Sequence, residues 1–259
     1  MQPRVDVVIV HYNTAAMLRR CLETVCAIDN GVLGRVVVVD NGSADSAVEQ
    51  IRVAFPDVEL ICNGRNLGFA AACNRGIAAA KSSYCLLLNP DAQIEGRSLM
   101  TLLECMAKHP DAGVVAPRLV NPDGSLQWSC RRYPTVAALL ARGARLGALI
   151  GGPLDNYLMR DWDHRELRTV DWATGACLLL RRAALDEVGT LDERFFLYCE
   201  DTDLCRRMQL AGWKVYYEPA ATVVHVHRRE SAKLIPNRAH VFHLWSLLRL
   251  FRKHRFPLR

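Results

Sequence analysis

The sequence has 259 residues, of which 51% are hydrophobic and 23% charged. This length and composition allow one large domain with a full core, and the lack of repeats or low-complexity segments excludes a repeat or disordered protein. The net charge of +6 is uneven, because nine Lys or Arg residues and one Glu lie from residue 225 onward, which leaves −2 for the rest. The basic end favours an anionic surface or phosphates as its partner and argues against a general nucleic-acid binder.

The ten cysteines are scattered through strand-like and helix-like runs, without a CxxC pair or a Cys/His cluster at zinc spacing. They are best explained as small buried hydrophobes of a protein kept in a reducing cytosol. Residues 1–4 lead straight into a predicted strand, so we expect no signal peptide, and no apolar run reaches the length needed to span a bilayer. A cytoplasmic protein is therefore expected.

The first half of the chain alternates between predicted strands and helices. Apolar, often β-branched runs predict strands, and apolar residues at helical spacing predict the helices between them. The strands are expected at residues 5–10, 36–39, 58–62, 84–88 and 112–120, and the helices at 17–25, 47–55, 70–76 and 98–108. This alternation predicts an α/β fold with a mostly parallel central sheet, which binds ligands at the carboxyl ends of its strands.

Polar residues follow the first two strands at the points where these strands end. His11, Tyr12 and Asn13 follow the first strand, and Asp40 and Asn41 follow the second. An acid after the second strand commonly contacts the ribose or base of a nucleotide, although a simple Asp-Asn-Gly turn explains it equally well.

Residues 63–69 form a glycine-punctuated loop before a helix of small residues. Small residues let the start of a helix approach a ligand or the sheet, and a helix N-terminus readily binds an anion. The loop matches neither GxGxxG nor a P-loop, so Rossmann dinucleotide binding and Walker-type ATP binding lose support.

The strand at 84–88 stops in Asn89-Pro90-Asp91. Asn89 and Asp91 lie two residues apart, and oxygen ligands at that spacing suit a hard divalent cation that bridges phosphates. A strand-ending turn with a capping Asp is a common alternative.

Residues 121–170 break the alternation. The segment contains an apolar, Arg-studded helical stretch at 136–150, which Gly151-Gly152-Pro153 is expected to end. A segment inserted into an α/β core often faces a second substrate, and an ordinary packed helix is at least as good an explanation.

Glu200, Asp201 and Asp203 lie within four positions, directly after an aromatic and apolar run. Helical spacing continues toward residue 212, so we predict these acids at the first turn of a helix, where free N–H groups and the helix dipole favour negative charge. Capping and solvation are the alternative explanation. Asp91, far upstream at a strand end, favours a functional pair in which one acid serves a metal and the other a proton.

The last strand is predicted at 214–225 and ends in His225, with His227 on the same face if the strand continues. We favour a functional role for His225 over a solvated histidine of the basic tail, because the strand end puts it where the acids gather.

A partly amphipathic helix follows at 241–251, in which Val241, Leu244, Leu247, Leu248 and Phe251 share a face. Such a helix can rest on an anionic membrane surface. Packing on the domain, with a solvated basic face, is the more common arrangement.

The whole set of motifs resembles the family 2 glycosyltransferases of the GT-A fold, and in particular their rhamnosyltransferase-like branch, from residue 5 to about 253. The motifs that carry the resemblance are Val-Ile-Val-His-Tyr-Asn at 8–13, Val-Asp-Asn-Gly-Ser at 39–43, Asn-Leu-Gly-Phe at 66–69 with Asn74, Leu-Asn-Pro-Asp at 88–91, Thr-Gly-Ala at 174–176 and Tyr-Cys-Glu-Asp-Thr-Asp at 198–203. Each is weak alone, but their order and spacing make a strong signal. The resemblance implies a Rossmann-like central sheet flanked by helices, an acceptor-side segment and a C-terminal helix.

The resemblance also implies roles for single residues. Tyr12 and Asp40 would hold the base and ribose of a nucleotide sugar. Asp91 would bind Mg²⁺ or Mn²⁺ on the diphosphate, with His225 near the metal. Asp201 would be the general base, supported by Glu200 and Asp203. The other nucleotide-sugar positions would be His11, Asn13, Asn41, Asn66, Gly68, Asn74, Asn89 and Gly175.

Two positions depart from the family pattern. Asn89 stands where the Asp-x-Asp motif has its first acid, which leaves one fewer anionic ligand. Cys73 stands where many relatives carry an Arg, so a phosphate contact from that helix is not expected.

The resemblance implies an inverting, metal-assisted transfer from a nucleotide-activated sugar. dTDP-L-rhamnose is the leading donor, ahead of other dTDP- or UDP-sugars, and the acceptor would be a surface polysaccharide or a lipid-linked saccharide. The enzyme would be cytoplasmic, with a peripheral contact between its basic C-terminal helix and the inner face of the cell membrane. Residues 1–120 would bind the nucleotide sugar, residues 121–228 would form the acceptor-binding and catalytic half of the same domain, and residues 229–259 would form the basic helix and tail.

Two other classes of protein stay open. A nucleotidyltransferase that makes a sugar nucleotide uses a similar sheet, but it usually has a Gly-rich, Lys- or Arg-bearing loop in the place of His11-Tyr12-Asn13. A non-catalytic sugar-nucleotide-binding partner would need no base, and the presence of both Asp91 and the Glu200-Asp201 pair argues against it.

Overall fold

The computed structural model describes residues 4–28, 31–138, 151–226 and 238–256. The first half contains β1 (Val5–His11), α1 (Ala15–Cys26), β2 (Leu33–Asp40), α2 (Ala47–Ala54), β3 (Glu59–Cys62), α3 (Phe69–Ala79), β4 (Tyr84–Leu88), β5 (Ala92–Ile94), α4 (Gly96–Lys108) and β6 (Ala112–Val120). The second half contains β7 (Cys130–Arg131), α5 (Gly151–Tyr157), β8 (Arg168–Thr169), β9 (Trp172–Ala173), β10 (Cys177–Arg181), α6 (Arg182–Val188), α7 (Glu200–Leu210), β11 (Lys214–His225) and α8 (Arg238–His254).

One sheet of nine strands forms the centre of the molecule, in the order β3-β2-β1-β4-β10-β6-β11-β5, with β8 beside β11. β1 is parallel to β2 and β4, β2 to β3, and β11 to β6. β10 runs antiparallel to β4 and β6, and β5 runs antiparallel to β11. The mostly parallel α/β sheet flanked by helices is therefore confirmed. Its antiparallel strands are an addition, because an apolar run buried on both faces does not show the direction in which it pairs.

Alternate residues of the central strands pack on opposite faces of the sheet, as the two-residue period of a strand requires. Val7 and Ile9 of β1 join a cluster with α1, α2 and α4, whereas Val8 and Val10 join a cluster with α3, α6 and α7. Helix α3 lies so close to the sheet that a Cβ atom on Gly76 would be 2.3 Å from Val8 Cγ1. The small residues of α3 thus serve close packing on the sheet.

Two expectations need correction or fall outside the structure. Gly151-Gly152-Pro153 was expected to end a helix, but these residues belong to α5. The predicted helix at 136–150 lies mostly, and His227 entirely, outside the described residues.

None of the ten cysteines forms a disulfide and eight of them are buried, as expected of small hydrophobes. Within the described part of the chain, no helix is both long and apolar enough to cross a membrane.

Candidate active site

The first three strands end level with one another at one edge of the sheet. His11 pairs in register with Asp40, and Asp40 pairs with Cys62. The loops that follow β1, β2 and β3 therefore lie side by side at the carboxyl edge, where parallel sheets bind their ligands.

The buried side chain of Asn41 fixes the loop after β3. Its NH₂ group donates to Asn66 Oδ1 at 3.1 Å and to the Gly68 carbonyl at 3.2 Å. Its Oδ1 accepts from Asn63 Nδ2 and from Leu67 N, each at 3.0 Å. These four bonds use the whole hydrogen-bonding capacity of the amide, so Asn41 holds the loop in shape.

The loop after β1 is bonded to the loop after β2. His11 is buried, and its Nε2 lies 3.0 Å from Asp45 Oδ1. Asn13 Oδ1 accepts from Ala44 N at 2.9 Å. Both side chains join the two loops, whereas the ring of Tyr12 between them is 47% exposed.

Asp40 lies buried at the end of β2, and its Oδ1 accepts from Ser43 N at 3.2 Å. A carboxylate held in this way keeps further acceptor capacity for a hydroxyl group. With the half-exposed ring of Tyr12 on the neighbouring loop, the edge offers one aromatic face and one acceptor.

Gly68 joins this edge to the segment before α7. Its φ is 93°, and a Cβ atom there would be 2.8 Å from the Phe196 carbonyl oxygen. The next amide, Phe69 N, donates to that same oxygen at 2.7 Å. Only glycine combines this backbone conformation with so close an approach.

Asn74 of α3 braces the loop that precedes α7. Its Nδ2 donates to the Leu191 carbonyl at 2.8 Å and to Glu193 Oε1 at 3.0 Å, and its Oδ1 accepts from Leu191 N at 3.0 Å. The structure gives this side chain protein partners, and its contact with a nucleotide sugar stays a prediction.

Asp91 and His225 meet where the turn after β4 faces the end of β11. His225 Nε2 lies 3.3 Å from Asp91 Oδ1, and His225 Nδ1 lies 2.9 Å from Gln127 Oε1. Gln127 Nε2 in turn donates to the His225 carbonyl at 2.7 Å. Gln127 therefore orients the imidazole so that Nε2 points at the carboxylate of Asp91.

These two side chains fit a divalent cation. A carboxylate oxygen and an imidazole nitrogen whose other nitrogen is held by a second group form a common metal-binding arrangement. No cluster of three or more His, Cys, Asp or Glu side chains able to hold a metal occurs among the described residues. Mg²⁺ in phosphate-transferring sites is usually held by one or two carboxylates, substrate phosphates and water, so a small set of protein ligands is sufficient.

A short loop, residues 174–176, connects the turn at Asp91 to the acidic start of α7. Asn89 N donates to the Ala176 carbonyl at 2.9 Å, and Gly175 N donates to Asp201 Oδ2 at 2.9 Å. The turn that contains Asp91 and the acid Asp201 are thus bonded to adjacent residues of one loop.

Helix α7 begins at Glu200, after two residues in the left-handed conformation. Tyr198 has a φ of 69° and Cys199 a φ of 67°. Residues other than glycine rarely adopt this conformation, and such strain gathers at functional sites. The predicted position of the acids at the first turn of a helix is confirmed.

Glu200 and Asp201 share a buried environment but differ in their partners. Glu200 is 5% exposed, and among the described residues its Oε2 has no hydrogen-bond partner. Burial, and then the charge of Asp201, raises the pKa of Glu200 well above its ordinary value. Burial also raises the pKa of Asp201, but hydrogen bonds from the N–H groups of Gly175 and Thr202 oppose this shift. These N–H groups favour the charged form of Asp201, whereas the burial of Glu200 favours its protonated form.

Asp203 contacts basic side chains of two helices. Its fully buried carboxylate lies 2.9 Å from Arg207 Nε, 2.7 Å from Lys253 Nζ and 2.7 Å from His254 Nε2. Lys253 Nζ also lies 2.7 Å from Asp192 Oδ2. Asp203 thus attaches the last turn of α8 to α7, and any support that it gives Asp201 acts through the position of the helix.

Two residues of the site lie outside the sequence motifs. The Arg131 guanidinium carbon is 5.1 Å from the centre of the Trp172 ring, and its charge opposes the rise that burial causes in the pKa of Asp201. Gln127 holds His225 across 98 residues of sequence. The Arg-Arg-Tyr run at 131–133 was the only signal for the first, and no sequence signal marked the second.

The fold is similar to solved glycosyltransferases of the GT-A class. It matches GalNAc-T7 with UDP, GalNAc and Mn²⁺ at a TM-score of 0.71 and 17% identity, over 96% of this chain and 48% of that one. It also matches the mannosyltransferase PcManGT from Pyrobaculum calidifontis, in complex with GDP-Man and Mn²⁺, at a TM-score of 0.62 and 20% identity, over 98% of this chain and 64% of that one. The molecule therefore has the GT-A fold.

Sequence comparison gives the family. The profile described as Glycosyl transferase family 2 matches residues 6–189, and the profile described as Glycosyl transferase family group 2 matches residues 155–255. The chain belongs to glycosyl transferase family 2.

Named relatives indicate the branch of the family. The N-acetylglucosaminyl-diphospho-decaprenol L-rhamnosyltransferase of Mycobacterium tuberculosis is 34% identical over 241 residues, which are 87% of this chain and 76% of the relative. Rhamnosyltransferase WbbL of Escherichia coli strain K12 is 25% identical over 259 residues, which are 97% of this chain and 94% of the relative. The predicted family and its rhamnosyltransferase-like branch are confirmed.

Proposed function

We propose that this glycosyltransferase moves L-rhamnose from dTDP-L-rhamnose to a hydroxyl group of a lipid-linked or surface saccharide, with inversion at the anomeric carbon. The observation that carries the proposal is the loop at 174–176, in which the Ala176 carbonyl is bonded to Asn89 N, in the turn that contains Asp91, and Gly175 N is bonded to Asp201. The names of the relatives in two bacteria support rhamnose as the sugar. Other dTDP- or UDP-sugars are the remaining donor candidates.

The carboxyl edge of β1 to β3 would bind the nucleotide. Tyr12 would stack on the base and Asp40 would accept a ribose hydroxyl, with Asn66 and Gly68 at the rim of the pocket. His11, Asn13 and Asn41 would keep these loops in place through their bonds to the protein. Asn74 would brace the loop before α7, and Gly175 would give the donor sugar space beside Asp201.

Asp91 and His225 would hold Mg²⁺ or Mn²⁺, with Asn89 close by. When bound, the metal offsets the negative charge that builds on the leaving diphosphate. Gln127 keeps Nε2 of His225 turned toward this position, and the backbone bond from Val226 N to the Asp91 carbonyl, at 2.8 Å, keeps the two elements together.

Asp201 would take the proton from the acceptor hydroxyl as its oxygen attacks the anomeric carbon. The new bond joins the acceptor oxygen to that carbon, the bond from the carbon to the diphosphate oxygen breaks, and the nucleoside diphosphate leaves with the bonding electron pair. Attack from the side opposite to the leaving group inverts the anomeric carbon. The N–H groups of Gly175 and Thr202 orient the carboxylate for this step.

A lipid-linked acceptor would hold the reacting saccharide at a membrane surface. The name of the Mycobacterium tuberculosis relative includes such a lipid diphosphate. We place the enzyme in the cytoplasm, at the inner face of the cell membrane, with donor contacts from residues 1–120 and acceptor contacts from residues 121–228.

Calorimetric titration with dTDP, UDP and GDP, each with and without Mn²⁺, tests the donor site. We expect dTDP to bind most tightly and only fully in the presence of Mn²⁺, and Asp91→Ala to remove the metal-dependent part because it removes the one carboxylate of the pair. Asp57→Ala, an exposed acid in the turn before β3, is the matched control and should bind like the wild type.

Two outcomes would contradict the proposal. Equal binding of the three nucleotides would remove the preference for a dTDP donor, and binding unaffected by both Mn²⁺ and Asp91→Ala would remove the metal site. Tight dTDP binding without transfer of sugar to any saccharide acceptor would leave a binding protein in place of an enzyme.

A further inference from the structure

Helix α8 packs on the domain with one side only. Phe242 stacks on Phe196 with ring centres 4.6 Å apart, and Ser246 Oγ donates to the Leu197 carbonyl at 2.8 Å. Leu250 is fully buried in a cluster with Phe195. This inner side covers the segment that leads directly into the acidic turn of α7.

The opposite side of α8 carries four exposed apolar residues, which we call the outer apolar face. Val241, Leu244, Trp245 and Leu248 are 54%, 59%, 66% and 56% exposed. Their spacing of three, four and seven residues places them on one face of the helix. In the described part of the chain they are half of the eight exposed large hydrophobic residues. Scattered exposed apolar side chains are ordinary, but a contiguous group marks an interaction surface.

Exposed arginine residues flank the outer apolar face along the chain. Arg238 precedes the outer apolar face, and Arg249, Arg252 and Arg255 follow it, all exposed. The sequence from 238 to 256 contains no Asp or Glu. A face with an apolar middle and cationic ends matches the acyl boundary and the headgroups of an anionic bilayer. A second copy of the chain would bring like charges together on the same face.

We propose that the outer apolar face of α8 docks the enzyme on an anionic lipid bilayer. The opposite side of the helix packs on residues 195–199, and Lys253 and His254 bind Asp203, so docking would hold Asp201 close to the surface that carries a lipid-linked acceptor. The role of docking in catalysis rests on the proposed function, whereas the docking itself does not.

The test measures binding of the full chain to vesicles of phosphatidylcholine alone and of phosphatidylcholine mixed with phosphatidylglycerol, by flotation. We expect binding to the mixed vesicles only. Leu244→Glu with Leu248→Glu puts two negative charges in the middle of the face, and we expect it to weaken binding at least about tenfold. Val53→Glu is the matched control, because Val53 is 85% exposed on α2, away from this face, and should leave vesicle binding unchanged.

Titration with dTDP in the same preparations separates this proposal from the proposed function. Loss of vesicle binding in the double variant, with dTDP binding as in the wild type, supports docking. Docking is overturned if the wild type does not bind mixed vesicles, or if the double variant binds them as well as the wild type. It is also overturned if light scattering shows that the wild type is a dimer that does not bind vesicles, whereas the double variant is a monomer. The outer apolar face would then bind a second copy of the chain. Normal docking without dTDP binding would remove the donor site and leave docking intact.

Discussion

Glu200 and Asp201 are neighbours in sequence, and both are buried, yet only Asp201 accepts hydrogen bonds from neighbouring backbone N–H groups that oppose the effect of burial on its pKa. Asp201 accepts from Gly175 N at 2.9 Å and from Thr202 N at 2.6 Å, and these bonds favour its charged form. Glu200 is buried and its pKa is raised well above the ordinary value. We therefore expect Glu200 to keep its proton and Asp201 to be the charged member of the pair.

Substitution at each position tests this division. Glu200→Gln copies the protonated acid, so we expect near-normal transfer at neutral pH. Asp201→Asn removes the proposed base, and we expect a loss of at least about a hundredfold in kcat with unchanged dTDP binding. Steady-state kinetics with a saccharide acceptor measure both. If Glu200→Gln lost as much activity as Asp201→Asn, the charge would have been placed on the wrong residue.

The pH dependence has a definite sign. A general base works only when deprotonated, and burial raises the pKa of Asp201, so kcat/KM should fall as the pH falls through that raised pKa. The acid limb should therefore lie above the ordinary range of an aspartate. In Glu200→Gln the limb should stay where it is, because the neighbouring side chain is neutral in both proteins. A limb that moved far in this variant, or that lay at the ordinary aspartate value, would contradict the assignment.

The sequence motifs predicted where several site residues lie but not all that they contact. Asp91, His225 and Asp201 lie at the strand ends and the helix start that their motifs predicted. His11, Asn41 and Asn74 belong to the same motifs, yet their side chains bond protein groups. A motif records which residue type a position requires, and it does not record whether the partner is a ligand or another loop. Gln127 could not be found in this way, because its partner lies 98 residues away.

At the scale of secondary structure, the contact between α7 and α8 determines where the C-terminal helix lies. Lys253 Nζ lies 2.7 Å from Asp203 Oδ1 and 2.7 Å from Asp192 Oδ2, so one cation attaches α8 both to α7 and to the loop before it. Asp203 is fully buried, and a buried carboxylate is stable as a charge only when it is paired and hydrogen-bonded.

Lys253→Ala should loosen this attachment. We expect a loss of about 2 kcal/mol in the free energy of unfolding, because a charged hydrogen bond to Asp192 and an ion pair with Asp203 disappear while Arg207 and His254 still contact Asp203. Arg252→Ala, one residue earlier and exposed, is the control and should change stability little. Urea unfolding gives the free energies, and hydrogen exchange of the α8 amides shows whether the loss is local. Equal effects of the two substitutions would show that the ion pairs do not hold the helix.

The same helix shows what periodicity predicts and what it leaves open. The pattern grouped Val241, Leu244, Leu247, Leu248 and Phe251 on one face. In the structure Leu247 and Phe251 pack inward, whereas Val241, Leu244 and Leu248 are exposed. The apolar face of this helix is wider than the surface on which it packs, so some of its apolar residues stay exposed. The sequence pattern does not show which ones, because this depends on the tertiary contacts.

For the whole molecule, the order of strands joins the two halves of the chain into one sheet. β10, from residues 177–181, lies between β4 and β6, which both belong to the first 120 residues. β11 then lies between β6 and β5. Residues 1–120 alone would therefore leave a gap in the sheet at β10 and lack the strand that joins β5 to it, so their core depends on the second half.

We therefore expect the full chain to unfold in urea as one cooperative unit. The five tryptophans are all in the second half, at positions 128, 162, 172, 213 and 245, so fluorescence reports on that half alone. Far-UV circular dichroism reports on the helices of both halves. Coincident transitions by the two methods are the mark of a single unit. Trp245→Phe should be measured beside the wild type, since it removes the signal of α8 itself. If the two transitions were separate in the wild type and also in Trp245→Phe, the halves would unfold independently. The sheet would then not join them as the strand order requires.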